Sequence, residues 1–223
     1  MTRPPLPSST VVVLRDGPSA LEVLLLERAP RRDGSPGPWV FPGGKVEPGD
    51  ARHAGDEAPG ARHAAVRETR EEAGLALAPD DLVPISRWIT PEVSPRRFDT
   101  WFYAAVPEPE VEVRVDGREI VGHRWLDPRA ALEAHAAGEV RLAPPTFVTV
   151  HWLRGHDRAE RALHALGRAP FLTFRPRLCP GEDGVFMLYP GDAGYEVGDP
   201  GRPGARHRIV SGPGGFEYLR EGV

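Results

Sequence analysis

The chain is poor in cysteine, in long apolar runs and in excess charge. Cys179 is the only cysteine among 223 residues, so no intrachain disulfide can form. No apolar run approaches membrane-spanning length, and the run at residues 11–14 is too short for the core of a signal peptide. A formal net charge of −4 gives no basic footprint for a nucleic acid. We therefore expect a cytoplasmic protein whose partners include neither a membrane nor a nucleic acid polymer.

The composition that remains is typical of a globular protein, with 40% apolar and 27% charged residues. The length suits one well-buried domain with an appendage, or two small domains. After residue 169 the composition shifts, and 18 of the 54 residues in 170–223 are Gly or Pro. Apolar and aromatic residues persist there. We expect a main domain at 9–169 and a small β-rich appendage at 170–223, which either caps the main fold or offers strand edges for a homodimer or another partner.

Apolar periodicity and turn signals predict a mixed α/β chain. Gly74 is typical of a residue that ends a helix, and Asp127 followed by Pro128 is typical of a helix start. Helices are predicted from residue 60 or 61 to 73, and at 128–137, 145–153 and 157–166. Strands are predicted at residues 9–15, 21–27, 39–41, 82–90, 100–106, 110–115, 122–126, 185–189, 207–210 and 216–219.

Three carboxylates in the first helix carry most of the functional information. Glu68, Glu71 and Glu72 are spaced i, i+3 and i+4, which places them on one helical face. Like charges at this spacing repel one another and weaken a helix. A hard divalent cation removes that conflict, because such ions prefer carboxylate oxygens. The pattern favours a metal site over the alternative, a solvated helix face.

The residues around this helix resemble the Nudix box. Residues 43–50 read GGKVEPGD and residues 67–75 read RETREEAGL, whereas the family pattern is Gly, five residues, Glu, seven residues, then Arg-Glu-apolar-any-Glu-Glu-any-Gly-apolar. Three departures stand out. Asp50 replaces a Glu, Thr69 occupies an apolar position, and sixteen residues separate Asp50 from Arg67 instead of seven. We place the resulting insertion of nine residues around 53–62.

Three motifs outside the box resemble one branch of the Nudix family. Residues 87–91 (RWITP), 96–100 (RRFDT) and 144–146 (PPT) are similar to the branch that contains peroxisomal acyl-coenzyme A diphosphatases, where the box also carries an insertion. The resemblance covers roughly residues 9–168. It implies a Nudix α/β/α sandwich with a mixed sheet, and metal-dependent hydrolysis of a diphosphate linkage in a nucleoside diphosphate derivative. Coenzyme A or acyl-coenzyme A is the leading substrate. The alternatives are ADP-ribose, NADH or another nucleotide, or a nucleotide-binding module without turnover.

The resemblance also implies roles for individual residues. Glu68, Glu71 and Glu72 would hold Mg²⁺ or Mn²⁺, joined by the main-chain carbonyl of Gly44. Arg67 would orient a box carboxylate, and Asp50 would help in the same way. The general base would be a box glutamate or a carboxylate on a later loop.

Outside the box, the first candidate for that base, or for an extra metal ligand, is Glu119; Glu47 is the weaker one. A surface turn residue is an equally good interpretation of Glu119.

Candidate substrate-binding residues are all basic. Lys45 follows the glycine pair, and Arg96 and Arg97 lie between two predicted strands. Guanidinium groups offer paired donors to phosphate oxygens, and coenzyme A carries an additional 3′-phosphate. The alternative is that one of the two arginines pairs with Asp99 and holds its loop.

The sequence leaves the role of two tryptophans open. Trp39 and Trp88 could stack on an adenine ring, although a tryptophan within a strand more often belongs to the core. The eight histidines show no spacing typical of a zinc site.

Overall fold

The computed structural model of the chain describes residues 4–50, 58–108, 112–181, 184–212 and 215–223. Much of the insertion that we placed around 53–62 therefore lies outside the described residues. Of its last part, residues 58–60 form a turn, and residues 61–62 already begin the first helix. No helix of the described residues is long and apolar enough to cross a membrane.

A mixed sheet forms the centre of the molecule. Its strands are β1 (Leu6–Asp16), β2 (Leu21–Arg28), β3 (Trp39–Val40), β4 (Gly43–Lys45), β5 (Val83–Ile89), β6 (Phe98–Ala105), β7 (Ile120–Leu126) and β8 (Leu172–Phe174). They run in the order β3-β2-β1-β6-β5-β8, with β4 paired to β1 and β7 paired to β2. The β1–β6 and β5–β8 pairs are parallel, and the other pairs are antiparallel.

Helices cover both faces of this sheet, as an α/β/α sandwich requires. The helices are α1 (Ala61–Ala73), α2 (Pro128–Ala136), α3 (Pro144–Leu153) and α4 (Ala159–Arg168). Helix α1 lies on one face, where it packs on Val11, Val13 and Tyr103. The other three helices lie on the opposite face, where their apolar residues share a core with Val12 and Phe102. The predicted fold class is confirmed.

The predicted helix boundaries follow from their caps. Gly74 ends α1 in the left-handed conformation, with φ 71°, and its N–H donates to the carbonyl of Arg70. The Asp127 carboxylate accepts from the backbone N–H groups of Arg129 and Ala130 at the start of α2. Both helix ends lie where the sequence predicts them.

The C-terminal segment forms a second, antiparallel sheet in the order β12-β11-β10-β9. Its strands are β9 (Arg177–Gly181), β10 (Gly184–Leu188), β11 (Arg206–Gly212) and β12 (Gly215–Glu221). This sheet shares the main core. Phe174 stacks on Trp88 with ring centroids 3.8 Å apart, and the edge of Tyr189 meets both rings. Trp39 and Trp88 are core residues, which decides the question that the sequence left open.

Three local predictions differ from the structure. Residues 110–111 lie outside the described part, and 112–115 form no strand, so the strand prediction at 110–115 is wrong there. That segment instead follows the end of α1, where the N–H of Arg114 donates to the carbonyl of Ala73. The glycine pair at 43–44, where the sequence predicts no strand, forms strand β4, and the sequence also does not predict the short strands β8 and β9.

A buried ion pair holds the Gly/Pro-rich loop at residues 190–205 against the second sheet. Asp192 accepts from Nε and Nη2 of Arg208, both at 2.7 Å, and from the N–H groups of Gly194 and His207 at 2.9 Å. Burial alone would raise the pKa of Asp192, but these hydrogen bonds outweigh it and hold that pKa below its usual value. Nη1 of Arg208 donates to the carbonyl of Pro200 at 2.7 Å. The pair is fully satisfied, which buried charges require.

Replacing Asp192 with alanine should destabilise the protein strongly. The substitution leaves the Arg208 guanidinium buried and uncompensated, at a cost of about 3–5 kcal/mol. Asp157→Ala is the matched control, because it removes an exposed Asp–Arg pair with Arg161 and should cost under about 1 kcal/mol. Urea unfolding followed by circular dichroism measures both. Equal losses in the two variants would contradict the structural role of the buried pair.

Candidate active site

The three carboxylates of helix α1 differ in how deeply they are buried. Glu72 is buried at 5% exposure, Glu68 is half-buried, and Glu71 is exposed. Thr69 is fully buried on the side that packs against the sheet, and its hydroxyl donates to the carbonyl of Ala65 at 2.7 Å. That hydrogen bond explains how a polar residue fits the apolar position of the box.

Glu72 is a buried acid that has one hydrogen bond to the described residues. Its Oε2 accepts from the backbone N–H of Gly43 at 2.8 Å. Burial raises the pKa of Glu72 to about 7, because desolvation penalises the carboxylate more than this hydrogen bond and the charge of Arg28 favour it. The side chain is therefore held close to its protonation midpoint at neutral pH.

Glu68 lies directly over Gly44. A Cβ atom on Gly44 would collide with the Glu68 carboxyl group, so this position needs glycine for space. Burial raises the pKa of Glu68 above its usual value, although Arg67 opposes the shift. Gly43 and Gly44 thus seat two acids of α1 on strand β4.

Arg67 connects the two halves of the box. Its Nε and Nη2 donate to the Asp50 carboxylate at 3.3 and 3.0 Å. Its Nη1 donates to Glu68 at 2.9 Å and to Glu71 at 3.1 Å, and Nη2 also reaches the carbonyl of Lys45 at 3.0 Å. These hydrogen bonds raise the pKa of Arg67, and the bond to Asp50 contributes most to that rise. The shorter side chain of Asp50 still reaches the guanidinium, despite its departure from the family pattern.

The oxygen atoms of the box carboxylates are the kind of ligand that a hard divalent cation prefers. Their present arrangement does not form a complete metal site. Two carboxylates are kept in a poorly solvated position with raised pKa values, which a bound cation would reverse. Within the described ranges, no group of three or more His, Cys, Asp or Glu side chains is arranged to hold a metal ion. Arg67 contacts Glu68 and Glu71 in this arrangement, and it occupies oxygens that an ion would use.

Glu119 lies at the edge of this region. Its carboxylate pairs with Nη2 of Arg28, and the side chain is 59% exposed. Asp116 fixes the turn by accepting from the N–H groups of Arg118, Glu119 and Ile120. Arg28 and Asp116 both act on the pKa of Glu72, so the turn lies within electrostatic range of the buried acid. The sequence analysis did not identify Arg28 as a residue of this region. Its position at the end of β2 is the feature that could have indicated it.

Lys45 and the pair Arg96 and Arg97 lie at the same end of the sheet. Lys45 is exposed at the end of β4, and the carbonyl of Arg97 accepts from the N–H of Leu6 at the start of β1. Strands β1 and β4 are paired, so the loop that carries the arginines is next to the loop that follows the glycines.

The two arginines are not equivalent in their surroundings. Nε of Arg97 donates to the carbonyl of Thr90 at 3.2 Å, and the guanidinium of Arg96 lies 5.1 Å from the ring of Phe98. Asp99 accepts from Nε and Nη2 of Arg87 at 2.7 and 2.5 Å. Arg87 is thus a partner of Asp99 that the sequence did not indicate.

Known proteins are similar to this chain in sequence and in fold. The family profile of the NUDIX domain matches residues 5–146. Over 217 residues the chain is 26% identical to the putative nudix hydrolase 7 of Caenorhabditis elegans, a match that covers 78% of this chain and 69% of that protein. It is 33% identical over 115 residues to the human acyl-coenzyme A diphosphatase NUDT19, covering 49% of this chain and 31% of the relative. The Xenopus laevis counterpart is 29% identical over 133 residues, with 56% and 34% covered.

The chain therefore spans only about a third of the length of the two acyl-coenzyme A diphosphatases. Among solved structures, a NUDIX hydrolase from Alicyclobacillus acidocaldarius superposes with a TM-score of 0.66 at 28% identity, covering 76% of this chain and all of that one. The NUDIX domain of Shewanella oneidensis NrtR, crystallised with ADP ribose, matches with a TM-score of 0.51 at 15% identity, over 67% and 86% of the two chains. The second likeness concerns the fold alone. With its box assembled on β4 and α1, and with a family match over most of its length, the chain belongs to the Nudix family of diphosphate hydrolases.

Proposed function

We propose that this Nudix hydrolase is metal-dependent and cleaves the diphosphate linkage of coenzyme A or acyl-coenzyme A. The products would be 4′-phosphopantetheine, or its acylated form, and adenosine 3′,5′-bisphosphate. The observation that carries the metal dependence is the pair of buried acids, Glu68 and Glu72, seated on the glycines of β4. The substrate class is supported by the likeness to the acyl-coenzyme A diphosphatases.

Glu68, Glu71 and Glu72 would hold Mg²⁺ or Mn²⁺, with the carbonyl of Gly44 as a further oxygen ligand. When bound, such an ion neutralises phosphate charge and lowers the pKa of a coordinated water. Among the described residues, neither Glu68 nor Glu72 has a basic partner of its own. Glu68 shares the Arg67 guanidinium with Asp50, and the hydrogen bond of Glu72 within that part of the chain comes from a backbone N–H.

The protein groups around these acids have separate tasks. Arg67 fixes the orientation of Glu68 through its anchor on Asp50, and remains beside the site as a permanent positive charge. Glu71, the most exposed of the three, can exchange its contact with Arg67 for solvent or ligand at little cost. Glu72, whose pKa is raised to about 7 by burial while no cation is bound, would release its proton when the cation binds. The general base would be a box glutamate or Glu119, which pairs with Arg28.

Lys45, Arg96 and Arg97 would hold phosphate groups of the substrate. They border the box at one end of the sheet, and cations there would offset the charge of an anionic ligand against an acidic site. The additional 3′-phosphate of coenzyme A is the group that would use two adjacent arginines.

Turnover of coenzyme A tests the proposed mechanism. With Mg²⁺ or Mn²⁺, the wild type should release adenosine 3′,5′-bisphosphate from coenzyme A, and Glu72→Gln should lower kcat by at least about 100-fold because a charged group at the reacting centre is lost. Chromatography of the products measures this. Arg70→Gln is the control, since Arg70 is an exposed residue of the same helix, and it should leave the rate unchanged. Equal rates in wild type and Glu72→Gln would refute the mechanism.

The same assay on ADP-ribose, NADH and nucleoside triphosphates decides the substrate. A higher kcat/KM for one of these than for coenzyme A and acyl-coenzyme A would overturn the proposed substrate while leaving a Nudix hydrolase. Tight nucleotide binding without cleavage of any of them would indicate a binding module.

The raised pKa of Glu72 also affects stability when no metal is bound. The folded-state pKa of Glu72 is about 7, above the ordinary value of 4.5 for a glutamate, so the native state binds more protons than the unfolded state between these values. Wild-type stability therefore falls as the pH rises through them. In the presence of a chelator, Glu72→Gln should therefore be more stable than wild type at pH 8, by about 1–3 kcal/mol. The difference should be largely lost at a pH near 4.5.

Thermal and urea unfolding at both pH values measure this effect, and Arg70→Gln again serves as the control. A Glu72→Gln variant that is no more stable than wild type at pH 8 would show that the buried carboxylate carries no penalty.

A further inference from the structure

One row of residues crosses the sheet beside the box carboxylates. Gly44 of β4 is opposite Ser9 of β1, Ser9 is opposite Trp101 of β6, and Trp101 is opposite Arg87 of β5. Residues opposite one another in neighbouring strands project to the same face. Glu68 lies over Gly44 on that face, so Trp101 lies on the same face two strand spacings away, about 10 Å.

Trp101 forms an aromatic shelf with Phe171. The two ring centroids are 5.1 Å apart at an interplanar angle of 33°, and Trp101 is half-buried against the core beneath α1. Phe171 is 42% exposed, an unusual position for a large aromatic side chain next to a second ring. It follows α4 and comes directly before β8, beyond the residues matched by the family profile. The C-terminal segment thus contributes a side chain to the face that carries the box.

Arg87 adds a cationic donor to this shelf. Its guanidinium lies 5.8 Å from the centroid of the Trp101 ring. Nε and Nη2 are engaged by Asp99, whereas Nη1 has no hydrogen-bond partner among the described residues. A side chain fixed by one ion pair and still able to donate is pre-organised to meet a polar ring edge.

A flat heterocycle fits this combination of groups. All nucleobases can stack on exposed aromatic rings, and a nearby guanidinium group adds a cation–π contribution. In a nucleoside diphosphate the ribose separates the base from the diphosphate, which suits a shelf two strands away from the box carboxylates. A flexible aliphatic arm has no comparable need for two rings and a fixed donor.

We propose that Trp101, Phe171 and Arg87 form the binding site for the nucleobase of the substrate. The proposal rests on the proposed function, since the box carboxylates place the diphosphate. It makes the C-terminal segment part of the substrate cleft, through Phe171, in addition to its structural role behind the sheet.

Equilibrium binding tests the shelf without turnover. Calorimetry would measure the affinity for adenosine 3′,5′-bisphosphate and, separately, for 4′-phosphopantetheine. Phe171→Ala and Trp101→Leu should each weaken binding of the adenine nucleotide about 5- to 100-fold and leave 4′-phosphopantetheine binding unchanged. Leu178→Ala is the matched control, because Leu178 is also an apolar side chain at 42% exposure, but lies on β9, and it should change neither affinity.

Fluorescence gives a second readout that tolerates a poorly folding variant. The nucleotide should quench the tryptophan emission of the wild type, and Trp101→Phe should abolish most of that quenching while keeping an aromatic ring in place. Unchanged nucleotide affinity in Phe171→Ala, together with quenching retained in Trp101→Phe, would overturn the proposal. Weakened binding of 4′-phosphopantetheine alone would overturn it as well, because the shelf would then hold the pantetheine arm.

These outcomes separate the shelf from the catalytic proposal. If the wild type cleaves no diphosphate but shows nucleotide quenching that depends on Trp101, the catalytic proposal is wrong and the nucleobase site stands. If turnover is normal and the KM for coenzyme A is unchanged in Phe171→Ala and Trp101→Phe, the nucleobase site is wrong and the hydrolase stands.

Discussion

The contact between helix α1 and the glycine strand β4 is the constraint on which the site depends. Glu72 reaches the N–H of Gly43, and Glu68 occupies the space that a side chain on Gly44 would fill. Both contacts require that β4 pair with β1, because that pairing fixes the glycines beneath the helix. The rest of the sandwich can be understood as support for this one juxtaposition, with β1 in the centre of the sheet and α1 held on its face.

Burying acids in this way works against stability, and the protein offsets the cost only in part. Arg67 compensates Asp50, Glu68 and Glu71 together, so no single carboxylate receives a full countercharge. Glu72 has a backbone donor instead of a cation. By contrast, the buried pair of Asp192 and Arg208 in the C-terminal sheet is fully satisfied. Asp192 and Arg208 thus form a structural ion pair, whereas Glu68 and Glu72 keep the incomplete compensation that the proposed metal site would use.

The sequence predicted the parts of this arrangement that depend on local signals. The ends of α1 and the start of α2 followed from Gly74 and Asp127, whose cap contacts the structure shows. The family resemblance and the sandwich were predicted from the box, and the profile match confirms the family. The predicted roles of Lys45, Arg96, Arg97 and Glu119 remain proposals.

Features set by tertiary context could not be read from the chain. A glycine pair has no strand propensity, and β4 forms because β1 supplies its hydrogen bonds. The alternating segment at 112–115 resembled a strand, yet its backbone meets the end of α1 instead. The stacking of Phe174 on Trp88 and the approach of Phe171 to Trp101 join residues more than 60 positions apart, for which a single sequence carries no signal.

The acids that lie over Gly43 and Gly44 are proposed to bind a divalent cation, and titration of the protein with Mn²⁺, followed by electron paramagnetic resonance, measures that binding. The wild type should bind Mn²⁺ saturably. Glu68→Gln and Glu72→Gln should each weaken this binding at least about tenfold, while Arg70→Gln should leave it unchanged. Mn²⁺ binding of equal strength in all four proteins, or none in the wild type with or without coenzyme A, would show that these acids do not form a metal site.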